Sequence, residues 1–244
     1  MAVTLAARAV ALAGRLEGVT AELAPGTVTA ICGPNGAGKS SLLQCLAGLL
    51  QPTSGQVLLD GSPLAEMKGA ARARAIGYLA QQGEIAWDLS VAALVALGRL
   101  PHGDAGEAEV AAVLAALDLG PLAARRVSTL SGGERARALL ARVLAGKPGW
   151  ILADEPLAAL DLAHQLALLG HLRTAARQGA GVVLVLHDLA LAMNFADRVL
   201  VLDRGRLVAD GPPGQALAEG AIARVWGVEA RWLGEPGARA LVAR

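Results

Sequence analysis

A glycine-rich stretch near the amino end constrains the fold of this 244-residue chain more than any other feature. The residues before it, 27–32, are β-branched or small and apolar, and residues 40–49 after it have helical composition and spacing. Strand, glycine loop and helix in this order predict a loop that binds the phosphates of a nucleoside triphosphate. The stretch fits the phosphate-binding pattern G-x-x-x-x-G-K-[ST] with one further hydroxyl, and it comprises Gly33, Pro34, Asn35, Gly36, Ala37, Gly38, Lys39, Ser40 and Ser41.

The residue types of this loop suit phosphate and Mg²⁺. Glycines let successive backbone N–H groups turn toward one point, where the start of the following helix adds partial positive charge. Lys39 can then reach the β- and γ-phosphates, and Ser40 can ligate Mg²⁺. Lys39 is one of three lysines against nineteen arginines, so its place in the motif is not a compositional accident.

Composition excludes several classes of function. The net charge is +1, from 22 basic and 21 acidic residues, so the chain lacks the excess of positive charge that is typical of nucleic-acid binding. We therefore expect no nucleic-acid partner. No apolar run approaches the roughly 18 residues of a membrane span. Residues 1–16 lack the basic start of a secretion signal, and Arg8 interrupts them. Cys32 and Cys45 have no metal-ligand spacing, and we expect buried, reduced thiols.

Apolar strands alternate with helices along most of the chain, which predicts an α/β fold with a parallel sheet buried on both faces. Residues 1–30 predict an antiparallel β flap around a turn at 13–15, and residues 90–145 predict a helical block without strands. The predicted strands are 56–61, 75–82, 150–153 and 182–186 with a hairpin at 199–208, and the predicted helices are 91–97, 107–117, 134–144 and 160–177.

Two of these strands end in residues that bear chemistry. Asp154 and Glu155 follow one strand: Asp154 is placed to hold Mg²⁺ and Glu155 to orient and deprotonate an attacking water. An acidic pair at this position can also cap the next helix, but a phosphate loop in the same sheet favours the catalytic interpretation. His187 follows another strand, where it could bond the γ-phosphate or the attacking water, or serve as a structural histidine.

A second anion-binding helix start lies at Ser131, Gly132, Gly133 and Glu134. A hydroxyl and two glycines at the start of a helix present backbone N–H groups to an anion, yet no acceptor is evident nearby. Two phosphate-binding helix starts in one small chain indicate that they meet across a dimer.

Over residues 1 to about 210, in the right order, these motifs resemble the ATP-binding cassette family. Gly33 to Ser40 resembles the Walker A loop, Gln81 the Q-loop glutamine, and Leu130 to Glu134 the family signature. The remaining matches are residues 151–154 to the Walker B strand, Glu155 to its catalytic carboxylate, residues 158–161 with Asp161 to the D-loop, and His187 to the switch histidine.

The resemblance implies a phosphate-loop (RecA-like) NTPase core with an N-terminal antiparallel β flap and an inserted helical subdomain, in a single domain 1–244. We expect the core at about 1–84 and 146–210, the helical subdomain at about 85–145 and a short tail at 211–244. It further implies a head-to-tail homodimer that sandwiches two ATP molecules, with Mg²⁺ at Ser40, Gln81 and Asp154.

Two positions depart from the family pattern. Family members usually stack adenine on an aromatic residue in the flap, whereas this chain has no aromatic residue before Tyr78. Arg15 in the flap turn could lie on the base instead, or it could be a solvated turn arginine. Ala158 stands where the D-loop usually has serine, although Asp161 is retained.

Residues 94–102 and 223–231 resemble the importer subgroup for ferric siderophores, haem and vitamin B12. This resemblance implies two permease subunits, a substrate-binding protein and a place on the cytoplasmic face of the inner membrane. Trp87 follows the Q-loop, and we expect it near the permease groove. A soluble cassette ATPase of iron–sulfur cluster assembly is the alternative. A DNA-handling cassette protein is excluded by length, since only 49 positions separate Gln81 from Leu130 and leave no room for a long insertion.

His164 and His171 could suggest a metal pair, but a solvated helix face is the simpler interpretation.

Overall fold

The computed structural model describes residues 4–81, 88–158 and 160–244. Within these ranges the strands, numbered β1 to β12, are Leu5–Leu12, Leu16–Leu23, Val28–Cys32, Ser54–Leu59, Ser62–Pro63, Ile76–Leu79, Trp150–Asp154, Gly181–Val185, Arg198–Asp203, Arg206–Gly211, Ala230–Leu233 and Ala240–Ala243. The α-helices, numbered α1 to α9, are Lys39–Leu46, Gly69–Ala75, Val91–Ala96, Glu107–Ala116, Gly132–Ala145, Leu162–Arg177, Leu189–Phe195, Pro213–Ala216 and Glu219–Trp226.

A six-stranded sheet in the order β10-β9-β3-β8-β7-β6 forms the centre of the molecule. Its strands run parallel except β10, which pairs antiparallel with β9. Every residue of β3, β7 and β8 is buried, because helices cover both faces of the sheet. The prediction of a parallel sheet buried on both faces is confirmed. Parallel strands end at one edge, so the phosphate loop, the acidic pair and His187 all follow strand ends at that edge.

The predicted flap is a separate four-stranded antiparallel sheet in the order β2-β1-β4-β5. Leu16, Val19 and Leu23 on one face of β2 are buried, and they pack with Leu42 and Leu46 of α1 in one hydrophobic cluster. The flap sheet is therefore fixed to the helix that follows the phosphate loop.

Helices α3, α4 and α5 form the helical block, and its described part, residues 88–145, contains no strand. Val91 and Leu94 of α3 pack with Leu140 of α5 in the larger hydrophobic cluster. Arg99 follows α3 and is 6% exposed, and its guanidinium is paired with Asp104 at 2.7 Å. The three predicted helices of this block are confirmed to within two residues at each end.

Some predicted elements differ from the structure. The strand predicted at 75–82 is the shorter β6, because α2 occupies 69–75 and Gln81 follows the strand end. Part of the predicted strand (Gln82), the predicted permease-groove residue (Trp87) and one D-loop residue (Ala159) lie outside the described residues.

Residues after 211 contain more structure than the sequence analysis predicted, namely α8, α9 and the β11–β12 hairpin. Trp232 of this hairpin donates from Nε1 to the carbonyl of Leu217 at 2.8 Å. Asn194 of α7 bonds both the backbone N–H and the carbonyl of Arg239. These contacts fix the hairpin to α7 and to the chain after α8. In the described parts of the chain, no helix is both long and apolar enough to cross a bilayer.

Candidate nucleotide site

The phosphate loop follows β3 and turns directly into α1 around the side chain of Lys39. Lys39 is 5% exposed, and its Nζ donates to the carbonyl oxygens of Gly33 and Pro34, at 2.9 Å each. Burial lowers the pKa of Lys39, against the opposing attraction of Glu155, Cys32 and Asp154. The loop therefore holds an ammonium group within its own backbone.

Two glycines of the loop are required by close approach. A Cβ on Gly33 would lie 2.1 Å from the carbonyl oxygen of Leu202, and one on Gly38, at φ +96°, would lie 2.5 Å from that of Arg15. Only glycine allows such contacts together with this backbone conformation. The Gly38 contact also shows that the turn between β1 and β2 lies against the phosphate loop.

Asp154 at the end of β7 is 4% exposed and meets the first residues of α1. Ser40 Oγ donates to Asp154 Oδ1 at 2.9 Å, and the Tyr78 hydroxyl donates to Oδ2 at 3.4 Å. Burial raises the pKa of Asp154, and the charge of Glu155 adds to this rise, while the bonds from Ser40 and Tyr78 and the charge of Lys39 oppose it. A hydroxyl beside a carboxylate supplies the hard oxygen ligands that suit Mg²⁺.

Glu155 contacts two other residues that were predicted from separate motifs. Gln81 Nε2 donates to Glu155 Oε2 at 2.6 Å, and His187 Nε2 contacts Glu155 Oε1. Glu155 has φ +47°, a left-handed backbone that is uncommon for a residue other than glycine. Strained conformations of this kind occur at functional sites, where surrounding contacts maintain them. Gln81, Glu155 and His187 thus form one cluster beside Asp154.

A cavity of about 370 Å³ lies over these groups. Its size is in the range of small-ligand sites, and Arg15 and Lys39 supply positive charge opposite Glu155. The cavity therefore suits an anionic ligand. It is lined by Arg15, Asn35, Gly36, Gly38, Lys39, Ser40, Ser41, Glu155 and His187.

The second predicted anion-binding helix start does not line this cavity within the described residues. Ser131 caps α5 by accepting from the backbone N–H of Glu134 at 3.3 Å, and the Glu134 carboxylate accepts from the Ser131 N–H at 2.8 Å. Glu134 also lies 3.6 Å from Arg125. The capping box uses the backbone N–H groups of Ser131 and Glu134, so those of Gly132 and Gly133 take no part in it.

Asp161 caps α6 in the same way that Ser131 caps α5. Its Oδ1 accepts from the backbone N–H of His164 at 2.9 Å and lies 2.7 Å from the ring Nδ1 of His164. The bond from the His164 backbone, followed by that from its ring, lowers the pKa of Asp161. His171, two turns further along α6, lines a different cavity with residues of α4.

Sequence reasoning did not assign two residues of this region. Tyr78 touches the predicted Mg²⁺ carboxylate, and burial followed by the Asp154 charge raises the pKa of its phenol to about 12. Its one sequence signal was that Tyr78 is the single tyrosine, because its place beside Asp154 depends on β6 pairing with β7. The contact of His164 with Asp161 had no comparable signal beyond the spacing of three residues.

The fold and this edge of the sheet define a nucleotide-binding protein of the phosphate-loop class. The sequence profile described as ABC transporter matches residues 16–158. The chain belongs to the ABC transporter family, and it is an ATPase of that family that binds ATP.

Curated relatives match most of the chain. The hemin import ATP-binding protein HmuV of Nocardia farcinica is 47% identical over 216 residues, covering 86% of this chain and 75% of the relative. The protein of the same name from Myxococcus xanthus is 44% identical over 230 residues, covering 88% and 86%. The Pseudomonas aeruginosa protein of that name is 45% identical over 222 residues, covering 88% and 87%.

Solved structures agree with the fold. An inward-facing transporter assigned to the metal-chelate type has a TM-score of 0.83 at 25% identity, covering 99% of this chain and 98% of that chain. CbiO1 of Clostridium perfringens, part of the ABC transporter complex cbiONQ, has a TM-score of 0.78 at 27% identity, covering 90% and 92%. The predicted fold class, a phosphate-loop NTPase core with flap and helical insertion, is confirmed.

Proposed function

We propose that this chain hydrolyses Mg²⁺–ATP to energise the import of haem or a related iron chelate through a partner permease. One observation carries the hydrolytic part: Lys39, in the loop after β3, and Asp154 and Glu155, at the end of β7, lie around one cavity or directly beside it. The transport part is supported by relatives named as hemin import ATP-binding proteins. Those relatives favour import over the iron–sulfur assembly alternative.

In the proposed mechanism the residues of the cavity have separate roles. The loop 33–41 holds the phosphates, with Lys39 between the β- and γ-phosphates. Ser40, Asp154 and Gln81 would hold Mg²⁺, which neutralises charge on the phosphates. Glu155 orients the attacking water and accepts its proton, and its existing bond to Gln81 supports the orientation of its carboxylate. His187 contacts the other oxygen of Glu155 and bonds the γ-phosphate or the water.

A second subunit completes each site in this proposal. Ser131, Gly132 and Gly133 of one chain would bind the γ-phosphate held by the loop of the other, with Glu134 maintaining the capping box and Asp161 close to the same junction. Support comes from the start of α5, which has the geometry of an anion site, while Ser131, Gly132 and Gly133 do not line the nucleotide cavity of their own subunit in the described residues. The functional unit is then a head-to-tail homodimer.

Replacing Ser131 with arginine tests this dimer. We expect the Ser131→Arg chain to fold, because Ser131 is exposed and the loss of its helix cap costs only about 1 kcal/mol. It should lose at least about 90% of its ATPase activity, because a bulky cation blocks the γ-phosphate contact. Activity and gel-filtration size with ATP are the measurements. Thr174→Arg, on an exposed face of α6, is the matched control and should retain activity. Full activity in Ser131→Arg would contradict the composite site.

Arg15 is proposed to lie against the adenine ring. The turn that carries it contacts the phosphate loop, and its side chain lines the cavity. We expect Arg15→Ala to weaken ATP binding about threefold to tenfold, and Arg15→Tyr to restore it, because a guanidinium and an aromatic ring can each stack on a base. Fluorescent-nucleotide titration measures both. Unchanged ATP affinity in Arg15→Ala ends this assignment.

The proposed assembly contains two copies of this chain and two integral-membrane permease subunits at the cytoplasmic face of the inner membrane, supplied by a substrate-binding protein. Its simplest test is co-purification of the tagged chain, extracted in detergent, with membrane proteins encoded beside it. Recovery of a polytopic permease in equal amount supports the proposal. Recovery of the chain alone, with active ATPase, would favour the iron–sulfur alternative.

A further inference from the structure

His164 connects two functional segments that come from different parts of the chain. It lies in the first turn of α6, and its ring Nδ1 is 2.7 Å from Asp161 Oδ1. Its backbone N–H donates to the same oxygen at 2.9 Å. These two contacts from one residue fix the position of the Asp161 carboxylate and the orientation of the imidazole ring.

The imidazole also lies against the start of α5. A Cβ on Gly133 would lie 2.3 Å from His164 Cδ2 and 2.6 Å from His164 Nε2. Real Cβ atoms do not approach other atoms so closely, so the ring occupies the space that a side chain at 133 would need. Because Asp161 restrains the ring, the ring in turn restrains Gly133 and the capped helix start.

The neighbouring residue makes the attachment of α6 firmer. Gln165 Nε2 donates to the carbonyl oxygen of Leu160 at 3.1 Å and to that of Leu157 at 3.4 Å. The first turn of α6 therefore holds the chain after β7 through side chains on both His164 and Gln165. Of these two side chains, His164 extends that attachment to α5 through its approach to Gly133.

We infer that His164 is a positioning residue that sets the distance between Asp161 and the helix start 131–133, and so the surface that one subunit presents to ATP bound by its partner. This inference rests on the head-to-tail dimer proposed above. His164, Asp161 and Gly133 do not line the nucleotide cavity of their own chain in the described residues. Loss of His164 should therefore lower kcat without changing the affinity of a subunit for ATP.

Two substitutions separate the two contacts. His164→Phe keeps a ring against Gly133 but removes the bond to Asp161, whereas His164→Asn keeps a donor for Asp161 but removes the ring. We expect each variant to lower kcat at least about tenfold, because small displacements of catalytic partners are costly. The dissociation constant for ATP should stay within about twofold of wild type, and the melting temperature within a few degrees.

His171→Phe is the matched control, since it changes a histidine on the same helix that lines a different cavity, with residues of α4. It should retain the wild-type kcat. Wild-type kcat in either His164 variant would overturn the inference, and so would a rise in the dissociation constant or a fall in melting temperature that accounts for the lost activity.

The wild-type chain distinguishes failure of the inference from failure of the dimer proposal. Sigmoidal dependence of its hydrolysis on ATP concentration, with a dimer seen by gel filtration in ATP, supports the dimer. If that dimer forms and the His164 variants remain fully active, only the positioning role fails. If the wild-type chain hydrolyses ATP as a monomer with hyperbolic kinetics, both proposals fail.

Discussion

Replacing Glu155 with glutamine is expected to lower kcat for ATP hydrolysis at least about 100-fold, because loss of a general base removes a factor of this size. Glutamine has nearly the same shape as glutamate, and its side-chain oxygen can still accept from Gln81 Nε2, which now lies 2.6 Å from Glu155. The amide cannot take a proton from water. ATP binding should therefore persist, and the closed ATP-bound dimer should accumulate.

Phosphate release and gel filtration with ATP measure the two effects of Glu155→Gln. Glu66→Gln, at an exposed position, is the matched control and should hydrolyse ATP at the wild-type rate. Turnover by Glu155→Gln at the wild-type rate would remove Glu155 from the role of base. The assignment would then pass to another group that contacts the cavity, with His187 the first candidate.

Lys39→Ala should abolish useful ATP binding. The side chain is buried in the loop and donates to the carbonyl oxygens of Gly33 and Pro34. Its removal takes the fixed cation from the triphosphate and leaves both carbonyls without that donor. We expect the dissociation constant for ATP to rise at least about 100-fold, which corresponds to ~2.7 kcal/mol.

Equilibrium titration with a fluorescent ATP analogue measures the loss in Lys39→Ala. Lys68→Ala removes an exposed lysine outside the cavity and should bind ATP like the wild type. A melting curve for each variant separates lost binding from lost folding. Wild-type affinity in a folded Lys39→Ala chain would show that the phosphate loop is not where ATP binds.

Much of this architecture follows from local sequence pattern. Continuous apolar strands predicted the buried parallel sheet, because a strand that is covered on both faces has no solvent-facing side that would carry polar residues. Since parallel strands end at a common edge, Asp154, Glu155 and His187 were expected beside the phosphate loop, and the structure places them there. The capping box at Ser131 has equally local causes and was within reach of the sequence.

Contacts between distant segments were not predictable in this way. The bond from Tyr78 to Asp154 depends on β6 pairing with β7, and the contact of His164 with Gly133 depends on how α5 packs against α6. The C-terminal hairpin was missed for a related reason. Its short strands depend on attachment to α7 through Asn194, and short strands carry little periodic signal.

ATP hydrolysis by this chain is proposed to energise the import of haem or a related iron chelate. Its most direct measurement is the ATPase rate of the chain, assembled in lipid with its permease, in the presence of the binding protein. The binding protein is added empty or loaded with haem, cobalamin or a ferric siderophore. We expect ATP hydrolysis to be several-fold faster with the haem-loaded binding protein than with the empty one. Equal rates with every loaded and empty form, from a complex that hydrolyses ATP, would contradict it.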